Sequence, residues 1–401
     1  MTVSIYPQPT QQVEASIEGQ VLGRGELTAD AWGIQKVSYP KSLFNGMFTF
    51  DVPQTKWFMF ENGTLVHSST AITSNVGAGR LLTTVTAHTL RVESRLCPRY
   101  QPNRGHLFST ALWCPSKTND GVREWGLRTP ENGVLFRLKP DGKLYAVLRS
   151  NNVQTYEVEI NTSRVPGFDV EKGNIYDIQF QWRGVGNYFF YINNFLVHTV
   201  ANLGTLTALS IKNPALPAYF GAQRVTQDVE LNIGCVDISS ENGSEAQLEY
   251  GSAYAANVAV STNTPVIVVR QPTQILGETN TRDLVLARIS FTCSKKAVFT
   301  VWATRNPAAV TGATFRAVNS GSYVECDSPD MNPTAVRATS VTLAQLRFIT
   351  AAPVEAAVPR EIDNPWPNEI IFPIVRGDHI VVTCTAATAT ADVVVEWGEH
   401  I

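Results

Sequence analysis

Charge is scarce in this chain. Only 17% of its 401 residues are Asp, Glu, Lys or Arg, against about a quarter in an ordinary globular protein. The 32 basic and 35 acidic residues leave a formal charge of −3, and no basic block occurs anywhere. That excludes a surface built mainly for nucleic acid or for an anionic membrane. The six cysteines (Cys97, Cys114, Cys235, Cys293, Cys326, Cys384) are scattered without a CxxC. Neither a zinc site nor a disulfide framework is expected from them, and most should be buried thiols. No apolar run approaches the length of a membrane-spanning helix. The opening stretch MTVSIYPQPTQQVEASIEGQ lacks the basic-then-apolar layout of a secretory leader, so synthesis and folding in the cytosol are expected.

Catalytic signatures are missing too. GxSxG, HExxH, a P-loop and a complete GxGxxG are all absent, and Gly23-Arg24-Gly25 is a chance fragment of the last. A retaining glycosidase needs two carboxylates about 5–5.5 Å apart, which Glu157 and Glu159 could supply as same-face neighbours on a strand. The alternation of TYEVEIN, however, makes them the solvent face of that strand. Candidate calcium ligands, Asn119-Asp120, Asp141 and Asp169, are dispersed, and Asp141 is accounted for by its Pro-Asp-Gly turn. No enzymatic activity, cofactor or metal is therefore expected.

What the chain has is β pattern. In NIYDIQFQWRGVGNYFFYINNFLVHTV (Asn174 to Val200), Tyr176, Ile178, Phe180 and Trp182 point one way and Asp177, Gln179 and Gln181 the other. Gly184 to Gly186 turns the chain once. Asn193-Asn194 turns it again as a two-residue hairpin loop, since Asn tolerates positive φ. Tyr176, Phe180 and Trp182 are expected in a core. Phe189 and Tyr191 lie opposite Tyr188 and Phe190, so both faces of that strand need covering. Short alternating runs recur from Phe44 to Ile160, separated by turn signals such as Glu61-Asn62-Gly63, Glu131-Asn132-Gly133, Pro140-Asp141-Gly142 and Ser150-Asn151-Asn152. Strands at this spacing indicate an all-β sandwich or jelly roll.

The domain layout follows from composition. Residues 1–25 read as an extended arm, 26–238 as a jelly roll, 239–257 (polar, Gly/Ser-rich) as a linker, and 258–401 as a smaller β-sandwich. The second sandwich is expected to use Val258 to Val269, Leu284 to Thr292, Ala297 to Ala303, Ile370 to Val375, His379 to Thr385 and Ala391 to Trp397 as strands. One short helix is expected at Leu343 to Phe348, capped by Thr342. No internal repeat or low-complexity tract is present.

Several blocks carry a family resemblance. FFYINNFLVHTV after an aromatic strand resembles the concanavalin-like (laminin-G/lectin-type) jelly roll. RYQPNRGHLFS, NGVLFRLKPDGKLYAVLRS and GFDVEKGNIYDIQFQWRGVGNYFFYIN look like a recurrent module of tailed-bacteriophage virion proteins, over about residues 25–238. DLVLARISFTCSKKAVFTVWATRNPA more loosely resembles small sandwiches appended to phage head and tail proteins. The resemblance implies a non-enzymatic virion structural protein, commonly a homo-oligomer such as a trimer, that decorates the capsid through multivalent contacts with other virion proteins. The alternative it allows is a tail or baseplate component that binds host surface glycans, which would show an exposed aromatic cluster beside polar groups.

The best candidate contact surface is Arg95, Arg99, Tyr100, Asn103, Arg104 and His106, because Arg and Tyr are enriched at interfaces. The blander expectation, preferred over glycan binding there, is that Arg99 and Arg104 pair with acids of neighbouring strands. Trp366, in Pro365-Trp366-Pro367, marks a rigid loop that could insert into a neighbour, or an ordinary surface loop. His198 and His379 read as structural histidines.

Overall fold

A computed structural model describes residues 40–49, 51–75, 77–100, 104–116, 121–181, 187–201, 211–241, 248–275, 277–304, 310–311, 315–317, 324–327, 340–341, 349–355, 358–363 and 374–400. The chain divides into two compact units, Met1–Ser244 and Glu245–Ile401. Each is an antiparallel β-sandwich. The short helix expected at Leu343 to Phe348, the arm 1–25, Trp182 and the Gly184–Gly186 turn lie outside the described residues.

The first unit runs through β1 (Pro40–Met47), β2 (Trp57–Glu61), β3 (Thr64–Val66), β4 (Ile72–Asn75), β5 (Ala78–Thr83) and β6 (Thr89–Ser94). It continues with β7 (His106–Trp113), β8 (Val122–Arg128), β9 (Gly133–Leu138), β10 (Leu144–Ser150) and β11 (Val153–Glu159). A 3₁₀ turn at Thr162–Arg164 leads to β12 (Asn174–Phe180), β13 (Tyr188–Ile192), β14 (Phe195–Val200), β15 (Ala218–Gln223) and β16 (Val229–Glu241). One sheet has the order β14-β13-β12-β7-β16-β5-β4 with β1 also on β16, and the other β11-β10-β9-β8-β15-β6-β2-β3. This is the concanavalin-like jelly roll that the meander and its Asn turn resemble. Asn193 and Asn194 have φ of 49° and 72°, and Asn151 and Asn152 have 52° and 67°, the left-handed pair that matches a hairpin turn to strand twist.

Alternation decides what fills the space between the sheets. Tyr176, Ile178 and Phe180 of β12, Tyr188 and Phe190 of β13, and Trp125 and Phe136 of β8 and β9 are fully buried in one cluster. Trp125 stacks on Phe136 at 5.9 Å and meets Tyr176 edge-on at 4.9 Å, while Phe136 meets Phe190 at 5.1 Å. A second aromatic knot joins Trp57 to Phe48 at 4.8 Å and to Phe44 at 5.3 Å. Each such side chain contributes roughly 1.5–3 kcal/mol by leaving water, so this core holds the sheets face to face.

The opposite row of β12 is a surprise. Asp177, Gln179 and Gln181 are buried, as is Tyr191 beside them, while Phe189 is half-buried. Asp177 accepts from the Ser109 hydroxyl at 2.6 Å, but the amide atoms of Gln179 and Gln181 have no partner among the described residues. An unsatisfied buried amide costs about 1–3 kcal/mol. Gln179→Met, which keeps the volume and removes the polar atoms, is expected to raise the unfolding free energy of this unit by about 1 kcal/mol. Urea titration of the two proteins reads the change, and a destabilised variant would contradict it.

The stretch 239–257, read from composition as a linker, is strand at both ends. β16 continues to Glu241, paired with Pro40 of β1, and the second unit begins on a strand at Leu248–Val260. Ser239 and Ser240 are buried there, so small polar residues serve a crowded sheet in this case. Val258 to Val269, read as one strand, is a hairpin: Leu248–Val260 ends, Asn263 takes φ 50°, and Thr264–Arg270 returns.

The second unit packs the sheet of Leu248–Val260, Ala389–His400, Leu284–Cys293 and Arg360–Asp363 against a six-stranded sheet centred on Thr264–Arg270, His379–Ala386 and Ala297–Thr304. Phe291 and Phe299 meet at 4.7 Å in its core, and Trp397 is fully buried. Five of the cysteines are buried and Cys235 is exposed. Burial pushes the Cys114 thiol up to about 12, so it stays protonated and inert at neutral pH.

Candidate functional site

The site is built on the outward face of the second jelly-roll sheet. In β8 the inward row is Arg123, Trp125 and Leu127, all buried. The outward row therefore carries Glu124 and Arg128, with Gly126 between them. The same alternation turns Arg91 and Glu93 of β6, Tyr219 and Gly221 of β15, Arg137 of β9, Tyr145 and Arg149 of β10, and Glu157 of β11 outward. Register then sets the neighbours. Gly221 lies between Arg91 and Glu124, Glu124 faces Arg137, and Arg137 faces Tyr145.

Part of this face, from Arg91 and Gly221 across Glu124 to Arg137, lines a groove of about 530 Å³. Phe60, Arg91, Glu124, Arg128, Arg137 and Tyr219 supply its main walls, with Lys139 at one end. Two glycines shape it. The hydroxyl end of Tyr219 lies over Gly221, where an added Cβ would sit 2.6 Å from that hydroxyl. Arg128 lies along Gly133, where an added Cβ would meet its Cβ and Cγ at 3.1 Å.

Glu124 is the hub of the charge network. It accepts from Arg137 Nε at 2.7 Å, pairs with Arg128, and has the Tyr219 hydroxyl at 3.4 Å. Arg137 also reaches Glu157 at 2.6 Å and Gln154 at 2.7 Å, and Lys139 reaches Glu157 at 2.8 Å. Arg91 sits 3.1 Å from Glu93 without the alignment of a hydrogen bond. Burial works against the Glu157 carboxylate, but hydrogen bonds from Lys139 and Arg137 and their charges hold it below the usual range. Burial and then the charges of Tyr219 and Glu124 act on Arg128, with the net effect of strengthening its hold on its proton. Burial, followed by the Glu124 charge, pushes the Tyr219 hydroxyl well up, so it acts as a neutral donor.

Aromatic rings are present on this face, yet each carries a cation. Arg91 lies 3.8 Å above the Phe60 ring, Arg95 4.2 Å above Phe58, Arg128 4.8 Å from Tyr219, and Lys139 4.1 Å from Tyr145. The face thus presents guanidinium planes backed by rings, not the bare aromatic cluster expected of a glycan-binding surface.

The residues singled out in the sequence fall elsewhere or at the margin. Arg95 extends the outward row of β6 at the edge of this face but is 7% exposed. Tyr100 and His106 are buried; Tyr100 stacks on Phe180 at 6.3 Å, and His106 meets Tyr100 at 5.0 Å and Phe180 at 5.9 Å with tilted rings. Their burial corrects the reading of Arg95, Tyr100 and His106 as an open contact surface, because apolar packing of the rings against β12 outweighs their polar tips. Arg99 and Arg104 are half-buried, and Asn103 and Trp366 lie outside the described residues. His198 accepts or donates across 2.9 Å to the Tyr156 hydroxyl. Glu159 is exposed and pairs with Lys143 at 2.7 Å. Asp141 receives the Lys143 amide at 2.9 Å and the Tyr145 hydroxyl at 2.8 Å, and Asp169 receives the Glu171 amide at 3.1 Å. Asn119 and Asp120 lie outside the described residues, among which no group of three metal-ligating acids, histidines or cysteines gathers.

The groove residues Arg91, Glu124, Arg128, Arg137 and Tyr219 were not singled out in the sequence. The one signal there is charge alternating with core residues in REWGLR and FRLK. What hides the site is that β8 pairs with β15, some ninety residues later in the chain.

No family profile and no curated protein sequence matches the chain. Solved structures match about half of it. One comes from work on endo-acting O-glycanases of prominent members of the human gut microbiota, at 13% identity and TM-score 0.40, covering 50% of this chain and 100% of that one. Another is an endo-1,3-beta-glucanase from Streptomyces sioyaensis, at 10% identity and TM-score 0.40, covering 51% and 97%. A third is the carbohydrate recognition domain of Emp46p in metal-free form, at 9% identity and TM-score 0.33, covering 46% and 88%. The expectation that the chain is not an enzyme is corrected by this finding, since structures of glycan-cleaving enzymes are among those it matches. The missing motifs of other hydrolase folds exclude nothing on a jelly roll, where strand-borne carboxylates need no sequence signature.

Proposed function

We propose that the jelly roll binds a saccharide in the groove on the outward face of its second sheet. The observation that carries this reading is the groove itself: about 530 Å³, walled by planar donors and acceptors whose positions are fixed by one another. Saccharides are recognised by such groups, because bidentate guanidinium and carboxylate pairs match vicinal oxygens. Glu124, clamped by Arg128 and Arg137, is pre-organised to accept from a hydroxyl, and the outer N–H groups of the arginines to donate.

The wider setting rests on the sequence resemblance to tailed-phage virion proteins. With a groove of this kind, the reading it supports better is a tail or baseplate component that recognises host surface glycans, acting as a homo-oligomer, with a trimer as the working state. Capsid decoration is the second place in the particle that the same resemblance allows. Gold labelling of intact particles separates the two, and label on neither head nor tail would overturn the virion setting.

The groove reading is tested by titrating the full chain against a panel of oligosaccharides on an array and then by calorimetry. The double variant Arg128→Ala, Lys139→Ala is expected to weaken the best ligand at least roughly tenfold, the loss of one or two charge-assisted hydrogen bonds. Lys172→Ala, on an exposed loop away from the groove, should bind like the parent. Equal binding by both variants would move the site elsewhere. Analysis of reducing ends after incubation shows whether binding leads to cleavage.

A further inference from the structure

We infer that the groove selects an acidic saccharide, one carrying carboxylate or sulfate groups; the inference rests on the saccharide-binding reading of this same site. Three observations point there.

The first is local charge. The chain as a whole is at −3, yet this face inverts that sign. Arg91, Arg128, Arg137 and Lys139 line the groove, with Glu124 as the acid among its lining residues. Counting the acids that pair with them, Glu93 and Glu157, still leaves a cation in excess before Arg149 is added. A mostly neutral surface that concentrates guanidinium groups in one concavity focuses its field on an anion.

The second is Arg149, which stands beside the groove next to its Arg128 wall and not in its lining. Across the register it faces Gly133, which in turn faces Arg128. Two guanidinium side chains therefore flank a glycine, with no side chain between them. Burial and then the Arg128 charge make the Arg149 proton easier to lose than usual, the mark of a cation short of compensation. Its Nε is buried and finds no partner among the described residues, and the bond from its Nη2 to the Asn152 carbonyl is long at 3.4 Å. An anionic oxygen placed over Gly133 would answer both arginines.

The third is what the rings cannot do. Neutral sugars are commonly gripped by stacking their C–H face on an open aromatic ring. Here Phe60, Tyr219 and Tyr145 each have a cation over the ring, and the hydroxyl end of Tyr219 crowds against Gly221. A ligand entering the groove meets guanidinium edges. Those are complementary to a planar carboxylate or to sulfate oxygens.

The test uses the full chain and matched ligand pairs. An oligogalacturonate is compared with its carboxyl-reduced form, and a sulfated heparin-derived tetrasaccharide with its desulfated form. The acidic member of one pair should bind at least roughly tenfold tighter, as expected for one ionic hydrogen-bonded contact. The advantage should shrink as salt rises. Which pair shows it distinguishes carboxylate from sulfate. Arg149→Ala should abolish most of the advantage while leaving the unfolding midpoint close to that of the parent, and Arg149→Lys should restore part of it. Equal binding of acidic and neutral members would overturn the inference and leave the saccharide reading standing. No binding of any saccharide would overturn both. A single-stranded oligonucleotide of matched charge bound as tightly as the acidic sugar would also overturn it, by reducing the groove to a general polyanion surface.

Discussion

Gly126→Ala is expected to cost the jelly roll at least about 3 kcal/mol, enough to unfold much of it at physiological temperature. Gly126 has φ +147° in the middle of β8, a region open in practice to glycine alone. A Cβ there would lie 2.4 Å from the Val134 carbonyl oxygen and 2.9 Å from the Leu135 Cα. Both atoms belong to the backbone of β9 and cannot move without parting the β8–β9 ladder. That ladder positions Trp125 against Phe136 on the inside and Glu124 against Arg137 on the outside. Loss of groove and loss of core should therefore occur together. Gly167→Ala is the control: φ is +68° but no atom lies within 4 Å of the new methyl, so only the backbone term of roughly 1 kcal/mol applies. Urea unfolding of the three proteins, with slopes compared, reads both values. A Gly126→Ala protein as stable as the Gly167→Ala control would contradict the crowding seen at β8.

Both units should lose stability between pH 6.5 and pH 4, the first chiefly through buried His106 with a smaller part from half-buried His198, the second through buried His379. Burial lowers His106 of β7 to about 4, where its ring packs against Tyr100 and Phe180. Burial, helped by the nearby Arg270 charge and opposed by Asp378, lowers His379 to about 4. In the unfolded chain each titrates near its ordinary value of about 6.5. The folded state favours the neutral ring, so this contribution is whole above pH 6.5. It falls as the unfolded chain takes up protons, and it is fully lost once pH passes below about 4. A fall from 6.5 to about 4, at about 1.4 kcal/mol per pH unit, corresponds to roughly 3 kcal/mol for each histidine. The depressed Glu157 acts in a lower window: its contribution is present above the ordinary glutamate value and disappears only as pH drops below that. Chemical denaturation at steps from pH 7.5 to pH 3.5 should show the first loss. His106→Phe should remove most of it for the first unit alone, leaving the smaller part that His198 carries, and His379→Phe should flatten it for the second. A slope that survives both substitutions undiminished would place the protons elsewhere.

How far the sequence reached can be judged strand by strand. The β12–β13–β14 meander was legible because three local signals agree there: alternation of aromatic with polar residues, a Gly turn, and an Asn pair that accepts positive φ. The hairpins at Asn62-Gly63 and Asn151-Asn152 were legible for the same reason. The stretch 239–257 misled because small polar residues mark both loops and crowded strands, and only the partner strand decides which. Tyr100 and His106 misled because an amphipathic ring reads the same whether its polar tip meets solvent or its face meets Phe180. The exclusion of catalysis rested on motifs that belong to other folds and on a single carboxylate pair, Glu157 and Glu159, chosen from one strand.

Period, turn chemistry and the scarcity of charge are properties of neighbouring residues, and they determined the class of this protein: all-β, two sandwiches, the first a jelly roll. The groove belongs to another order of information. Its walls come from β2, β6, β8, β9 and β15, and β15 enters between β6 and β8 from far along the chain. No local rule specifies that insertion. It is chosen because burying Phe220 between Trp125 and Val92 in register satisfies the core as a whole. The same register, on the opposite face, sets Gly221 between Arg91 and Glu124. Packing between the sheets thus decided which charges meet outside them.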